Sequence, residues 1–195
     1  MKDVSEKSPG RPRSVKSHQA MLTATLELLG EVGYDTLSIE AIAKRAKIGK
    51  TTIYRRYSSK AELVADAIES IRQEVIIPDT GSLESDIDRL IINAVQITLN
   101  PVGRQAMAMI ISSAASNSQF ALVYETKYLK PRRQALGIVL SKAKARNEVP
   151  ADLDSNLIFD AMSGIMLYAT IFLPDREWSV YVKRALCLLL QGAKS

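Results

Sequence analysis

The stretch Ser38–Lys60, SIEAIAKRAKIGKTTIYRRYSSK, decides the fold. Ser38 suits a helix N-cap, because its hydroxyl can accept from an exposed backbone N–H of the next turn. Ile39, Ile42, Ala43 and Ala46 recur at three- and four-residue spacing, the stripe of a short amphipathic helix. Gly49 breaks the pattern, and Lys50–Arg56 read as another brief helix with Ile53 on its inner side. Ser58 or Ser59 caps a following helix, whose buried stripe is Leu63, Ala67, Ile68 and Ile71. Upstream, Leu22, Leu26, Leu29 and Val32 mark one face of a first helix that Gly33 stops, with Tyr34-Asp35 as a turn. Helix, tight turn, short helix is the layout of a helix-turn-helix, whose second helix enters the major groove of DNA.

Charge concentrates on the same unit. Lys44, Arg45, Lys47, Lys50, Arg55, Arg56 and Lys60 follow one another with no acid between them, whereas Ser17–Ala43 holds Glu27, Glu31, Asp35 and Glu40 and no lysine or arginine. A charge run is usually a solvated face. Here it coincides with a helix that exposes Lys50, Thr51, Thr52, Tyr54, Arg55 and Arg56, while Ile53 and Tyr57 face a small core. Such a surface suits DNA: cations displace counterions at phosphates, and Thr and Tyr hydroxyls reach phosphate oxygens or base edges. Ser58-Ser59-Lys60 opens the next helix, and a helix N-terminus beside a lysine is a natural phosphate site.

The resemblance goes beyond a bare helix-turn-helix. Residues 21–68, through LELLGEVGYDTLSIEAIAKRAKI and then GKTTIYRRYSSKAEL, resemble the N-terminal domain of the TetR family of transcriptional regulators. Gly33-Tyr34, Ile42-Ala43, Tyr54 with Tyr57, and Lys60 stand where that family's pattern expects them. Lys47, Ile48 and Gly49 depart from it, standing where glycine, valine and serine are common. The resemblance implies base or nearby phosphate contacts from Lys50, Thr51 and Thr52. It also implies backbone contacts from Tyr54 and Lys60, and Ser38 at a phosphate by a helix N-terminus. Lys47 and Arg55 complete the expected DNA surface. In the arm, Pro9-Gly10-Arg11-Pro12-Arg13 resembles the core of an AT-hook, whose extended arginines (Arg11 and Arg13) would enter an A·T-rich minor groove. A solubilising tail is the competing reading of that pentapeptide.

The rest of the chain reads as helices near 83–99, 102–115, 119–146, 155–173 and 177–192, giving an all-α fold of about nine helices. Pro131 should kink or split the longest, and Asn147 can take the left-handed conformation that ends it. Pro78–Ser82 is a loop and the expected boundary. The division is a basic flexible arm at 1–16, a helix-turn-helix domain at 17–76 with its fourth helix as connector, and an effector-binding and dimerisation domain at 77–195. Residues 157–173 are almost wholly apolar but include Asp160 and fall short of the ~20 residues a bilayer requires, so no membrane span is expected. Helices this apolar need cover on all sides. The expected cover is a second copy, through Leu157, Ala161, Ile165, Tyr168 and Phe172 with Tyr181, Leu186 and Leu189, and a deeply buried core helix is the competing reading. Met107, Ile111, Tyr124, Tyr128 and Met166 are candidate linings for a small-molecule effector, with plain core as the competing reading.

Composition narrows the alternatives. The chain has 195 residues, net charge +5, one cysteine (Cys187) and one histidine (His18). An internal disulfide is excluded, a cysteine-based zinc site or multi-His metal centre is not expected, and no cofactor fingerprint is visible. Gly49-Lys50-Thr51-Thr52 lacks the upstream glycine and the strand of a phosphate-binding loop. His18 is expected on the surface of the first helix, and Cys187 as an inert core thiol. The first twenty residues have no apolar h-region, so a reducing cytoplasm is the expected home. The expected partners are double-stranded DNA, an unknown small-molecule effector and a second copy of the chain. The expected activity is that of a ligand-responsive regulator, most simply a repressor on a palindromic operator. An all-helical dimeric adaptor using its basic patch on an acidic protein is the alternative, and an enzyme is not expected.

Overall fold

The computed structural model describes residues 11–71, 77–98, 101–172 and 178–192, and among these there is no β-strand. In chain order the helices are α1 (Arg11–Thr36), α2 (Ile39–Arg45), α3 (Lys50–Tyr54), α4 (Lys60–Ser70), α5 (Leu83–Thr98) and α6 (Pro101–Ser116). Then come α7 (Ser118–Tyr124), a π-helical turn (Glu125–Leu129), α8 (Lys130–Ala145), α9 (Ser155–Phe172) and α10 (Trp178–Gly192). Because α7, the π turn and α8 run on without a break, nine continuous helical rods lie within the described residues.

α1 buries Met21, Leu22, Ala24, Thr25, Leu28 and Leu29 along one face. Val32, expected on that face, is exposed. The cause is Gly33, whose backbone (φ 74°, ψ 173°) leaves the helical region one residue later and redirects the chain, so that Tyr34 and Leu37 enter the core instead. The helix also begins earlier than expected: Arg11-Pro12-Arg13 lie in its first turn rather than in an extended arm. Proline is tolerated there because the first backbone N–H groups of a helix have no internal partner. Residues 1–10 of the expected arm lie outside the described residues.

Two local signals act as the sequence predicts. Ser38 Oγ accepts from Ala41 N at 3.1 Å, and Ser59 Oγ accepts from Glu62 N at 3.1 Å. Asn147 takes φ 58°, and the bonds Asn147 N to Lys144 O (3.0 Å) and Glu148 N to Ala143 O (3.0 Å) close α8 as a Schellman motif. Pro131 is accommodated by the turn before it. It has no N–H to give Lys127, and its ring would collide with that carbonyl in a regular helix, so the chain widens to π geometry over 125–129.

The apolar interior is in three parts. The first joins α1–α4 to α6 and α7: Phe120 and Ala106 are fully buried among Leu63, Val64 and Ile68, and Phe120 meets Tyr34 edge-on at 5.3 Å. The helix-turn-helix region thus shares its core with the helices that follow. The second part packs α5, α8 and α9, and the third sets Ala169 of α9 against Val182 and Leu186 of α10. Ion pairs tie the rods at their rims, Arg133 to Asp160 at 2.8 Å and Lys183 to Asp88 at 2.6 Å. At 18 residues, α9 is long and apolar enough by composition to cross a membrane, one residue more than the sequence count gave it. Much of it is left open: Leu157, Tyr168, Ile171 and Phe172 are exposed, as are Val180, Tyr181 and Leu188 of α10.

Candidate nucleic-acid interface

α3 has five residues, too short to be stable alone. It is held by what it buries. Ile53 is wholly inaccessible, Tyr57 just beyond the helix is buried, and Thr52 N bonds Gly49 O at 2.9 Å across the first turn. With Ile53 inward, Lys50, Thr51, Tyr54 and Arg55 project into solvent, Thr52 is half-buried, and Tyr54 is 58% exposed. The turn before α3 is another Schellman motif: Ile48 N bonds Ala43 O at 3.0 Å, and Lys47 occupies the left-handed position at φ 55°. This gives a physical reason for the glycine common at that position, since a side chain there costs ~1–2 kcal/mol.

The cations of this region are not equally available. Arg45 makes a forked pair with Glu31 (2.9 Å on both nitrogens) and reaches Glu27 at 3.2 Å, which raises its pKa and lowers that of Glu31. Lys50 bonds Glu40 at 2.7 Å, and this contact holds the carboxyl below its ordinary range and the ammonium above its own. The acids of α1 and α2 therefore face the basic run that the sequence set apart from them. Lys44, Lys47 and Arg55 have no such partner among the described residues.

Lys60 is placed differently again. Its ammonium donates to Tyr34 O (2.8 Å) and Leu37 O (2.9 Å) and lies 4.5 Å from the centre of the Tyr34 ring. It thereby bonds carbonyls of the segment that follows the Gly33 kink in α1. His18, expected at the surface, is half-buried and shares a 2.9 Å hydrogen bond with Tyr57 Oη. Cys187 is half-buried.

A second set of polar contacts joins α4 to the π turn and its neighbours. Tyr128 donates to Asp66, Lys127 lies 2.6 Å from Asp66 and 3.3 Å from Glu62, Tyr124 donates to Glu69, and Arg132 pairs with Glu69 at 2.6 Å. Burial, then the Asp66 carboxylate, pushes the Tyr128 phenol above its ordinary pKa. Widening the helix at 125–129 shifts the register of Lys127 and Tyr128, which places both on α4. The sequence carried no signal for this network beyond Pro131.

The five candidate effector residues are spread over the described interior. Tyr124 and Tyr128 belong to the first core, Met166 packs on the third, and Met107 and Ile111 are half-buried along α6. Of the expected pairing residues, Leu157, Tyr168, Phe172 and Tyr181 are exposed, and Ala161, Ile165 and Leu189 are half-buried. Leu186 is 1% exposed and sits beneath that face, because Ala169 and Val182 enclose it inside the protomer. Arg11 and Arg13 are placed as backbone in α1.

A short polar helix seated by one buried isoleucine behind a three-helix core defines a helix-turn-helix DNA-binding protein. A family model described as "Bacterial regulatory proteins, tetR family" matches residues 21–67, and one described as "Tetracyclin repressor-like, C-terminal domain" matches residues 77–188. The chain belongs to the TetR family of transcriptional regulators, with a DNA-binding helix-turn-helix domain and a helical C-terminal domain. It is similar to the HTH-type transcriptional regulator YdeS of Bacillus subtilis, 31% identical over 188 residues covering 95% of this chain and 94% of that one. It is 29% identical over 160 residues to the DNA-binding transcriptional repressor TetR of Mycobacteroides abscessus, covering 76% of this chain and 79% of that one. Among solved structures, the transcriptional regulator FadR from Bacillus subtilis in complex with stearoyl-CoA superposes with a TM-score of 0.65 at 18% identity, covering 90% of this chain and 98% of that one.

Proposed function

We propose that the protein is a homodimeric, effector-responsive repressor that binds a palindromic operator and works in the cytoplasm. The observation that carries the reading is α3 itself, a helix with one buried anchor and an outward surface of Lys50, Thr51, Thr52, Tyr54 and Arg55. Thr51, Thr52 and Lys50 read base edges; Tyr54, Arg55, Lys47 and the α2 N-terminus at Ser38 meet phosphates. Two copies pair through the open apolar face of α9 and α10, where Leu157 and Phe172 are each 64% exposed. The pairing presents two recognition helices to half-sites ~34–36 Å apart or a multiple of that.

Effector binding in the 77–195 region changes that spacing through α4. The Asp66–Tyr128–Lys127 and Glu69–Tyr124–Arg132 contacts are the physical connection, since any shift of the α7–α8 rod must move α4 or break them. Operator and effector then weaken each other's binding by the same factor. Repression is in keeping with the named repressor among the relatives, and a small-molecule effector with the stearoyl-CoA held by the FadR structure. The test is selection of duplexes from a random pool by the purified protein, followed by gel-shift titration. A two-fold symmetric consensus bound in a salt-sensitive manner is expected. Absence of any enriched sequence at low salt, with the basic patch instead retaining an acidic protein, would replace this reading with that of an adaptor.

A further inference from the structure

The surface assigned above to DNA carries an acid as well as cations. Glu40 lies in the first turn of α2, just after the Ser38 cap, and Lys50 is the first residue of α3. Lys50 Nζ donates to Glu40 Oε1 at 2.7 Å, and the two side chains are 53% and 60% exposed. Contact with the ammonium holds the Glu40 carboxyl below its ordinary range, so at neutral pH it is ionised and only accepts. An exposed pair of this kind adds little to folding, so its consequence lies in what it presents outward. A lone carboxylate there would be repelled by phosphates, and pairing with Lys50 offsets its charge. What remains is a donor and an acceptor side by side, 2.7 Å apart, where α2 meets the recognition helix.

We propose that Glu40 is a specificity-determining residue, and that with Lys50 it reads the orientation of one G·C base pair in the major groove. The inference rests on the DNA-reading proposal above and adds a residue to it. Every base pair sets a keto oxygen beside an amino group at the centre of its major-groove edge, about 2.9 Å apart, because the two are hydrogen-bonded to each other. Each keeps one position free, a second lone pair on the oxygen and a second N–H on the nitrogen. The Lys50–Glu40 pair has the complementary pattern at a matching separation: Nζ donates to the keto oxygen while the amino group donates to the carboxylate. In a G·C pair the lysine meets O6 with N7 beside it, two acceptors, and cytosine N4 donates to Glu40. In a T·A pair the keto and amino groups lie the same way round, but the lysine meets O4 beside the thymine methyl, which accepts nothing. Reversing either pair sets ammonium against amino group and carboxylate against carbonyl. For the base on the Lys50 side the order is therefore G, then T, with A and C disfavoured.

The experiment is selection of duplexes from a random pool by the unaltered chain and by Glu40→Ala, followed by anisotropy titration of the selected duplex. At one position of each half-site the unaltered protein should enrich G, then T, over A and C. Glu40→Ala should lose that order while the other positions keep theirs. In the titration, the cytosine paired with that G is replaced by N4-methylcytosine, which still pairs but carries a methyl group in place of its outward N–H. This change should weaken binding by the unaltered protein about tenfold and leave Glu40→Ala within about twofold. A G preference that survives Glu40→Ala, any other base order at that position, or a methyl penalty equal in both proteins would overturn the proposal. The base order and the methyl penalty on the unaltered protein stand even if the variant does not fold. Enriched sequences in which no position depends on Glu40 refute this assignment alone, whereas no enriched sequence at all refutes the DNA reading beneath it as well.

Discussion

Replacing Lys60 by methionine separates two roles for the residue that opens α4. Its ammonium donates to the carbonyls of Tyr34 and Leu37 at 2.8 and 2.9 Å and stands 4.5 Å from the Tyr34 ring centre. Hydrogen bonds to charged groups contribute ~1.5–3 kcal/mol each when buried, and an exposed cation–π contact ~0.5–1 kcal/mol. Lys60 is only half-buried, so water replaces much of this once the ammonium is gone. A net loss of about 2 kcal/mol is the reasonable magnitude. With a urea dependence of ~1–3 kcal/mol per molar, the unfolding midpoint should fall by about 1 M, read by circular dichroism. In parallel, the salt dependence of operator binding is measured by fluorescence anisotropy. Each phosphate cation lost lowers the slope of log K against log salt by ~0.9. A brace predicts reduced stability with an unchanged slope in the protein that remains folded. Unchanged stability with a slope shallower by about 0.9 would refute the reasoning and return Lys60 to the phosphates.

Other outcomes follow from the same geometry. Lys47→Gly should remove the left-handed strain at φ 55° and raise stability by up to ~1 kcal/mol, while costing about one unit of salt slope as a phosphate cation disappears. Thr52→Ala should change which sequences are enriched in selection, whereas Arg55→Ala should weaken all sequences alike. Phe172→Glu on the open face of α9 should give single protomers by sedimentation with the helical content intact. Symmetry counts the lost burial twice at ~1.5–3 kcal/mol each, about a hundredfold or more in the dimer constant. Glu62 is held below the usual 4.5 by the Ser58 N–H and hydroxyl. Its contribution is therefore complete above that value and lost as pH falls through the lower, folded one. Thermal unfolding followed between about pH 5 and 3 should show the wild type losing stability more steeply than Glu62→Gln.

What the sequence made legible was local. Caps at Ser38 and Ser59, the stop at Gly33, the left-handed Asn147 and the buried Ile53 each depend on a side chain and backbone within a few residues, so spacing alone places them. Helix bounds in the C-terminal half came within a few residues for the same reason. The misses are long-range. Val32 fits the 3.6-residue period of α1 and is exposed because Gly33 ends the surface it would have covered. Arg45 and Lys50 stand in a run with no acid between its members, but α1 and α2 bring Glu27, Glu31 and Glu40 against them. Lys60 is joined to carbonyls more than twenty residues away, and Asp86 is buried by helices from the far end of the chain. No local pattern encodes such pairings. The π turn lies between these cases: Pro131 announces a disturbance, and only packing on α4 shows where Tyr128 and Lys127 are delivered.

The central claim, that paired protomers read duplex DNA with α3, is tested most directly by one titration with stoichiometry. The full chain is added to a fluorescent duplex from the random-pool selection, at several salt concentrations, with sedimentation of the complex alongside. The account predicts two protomers or a multiple per duplex and a log K that falls linearly with log salt. A lone protomer in solution that leaves every duplex unbound in 50 mM salt, at roughly the ionic strength where such contacts are strong, would contradict it.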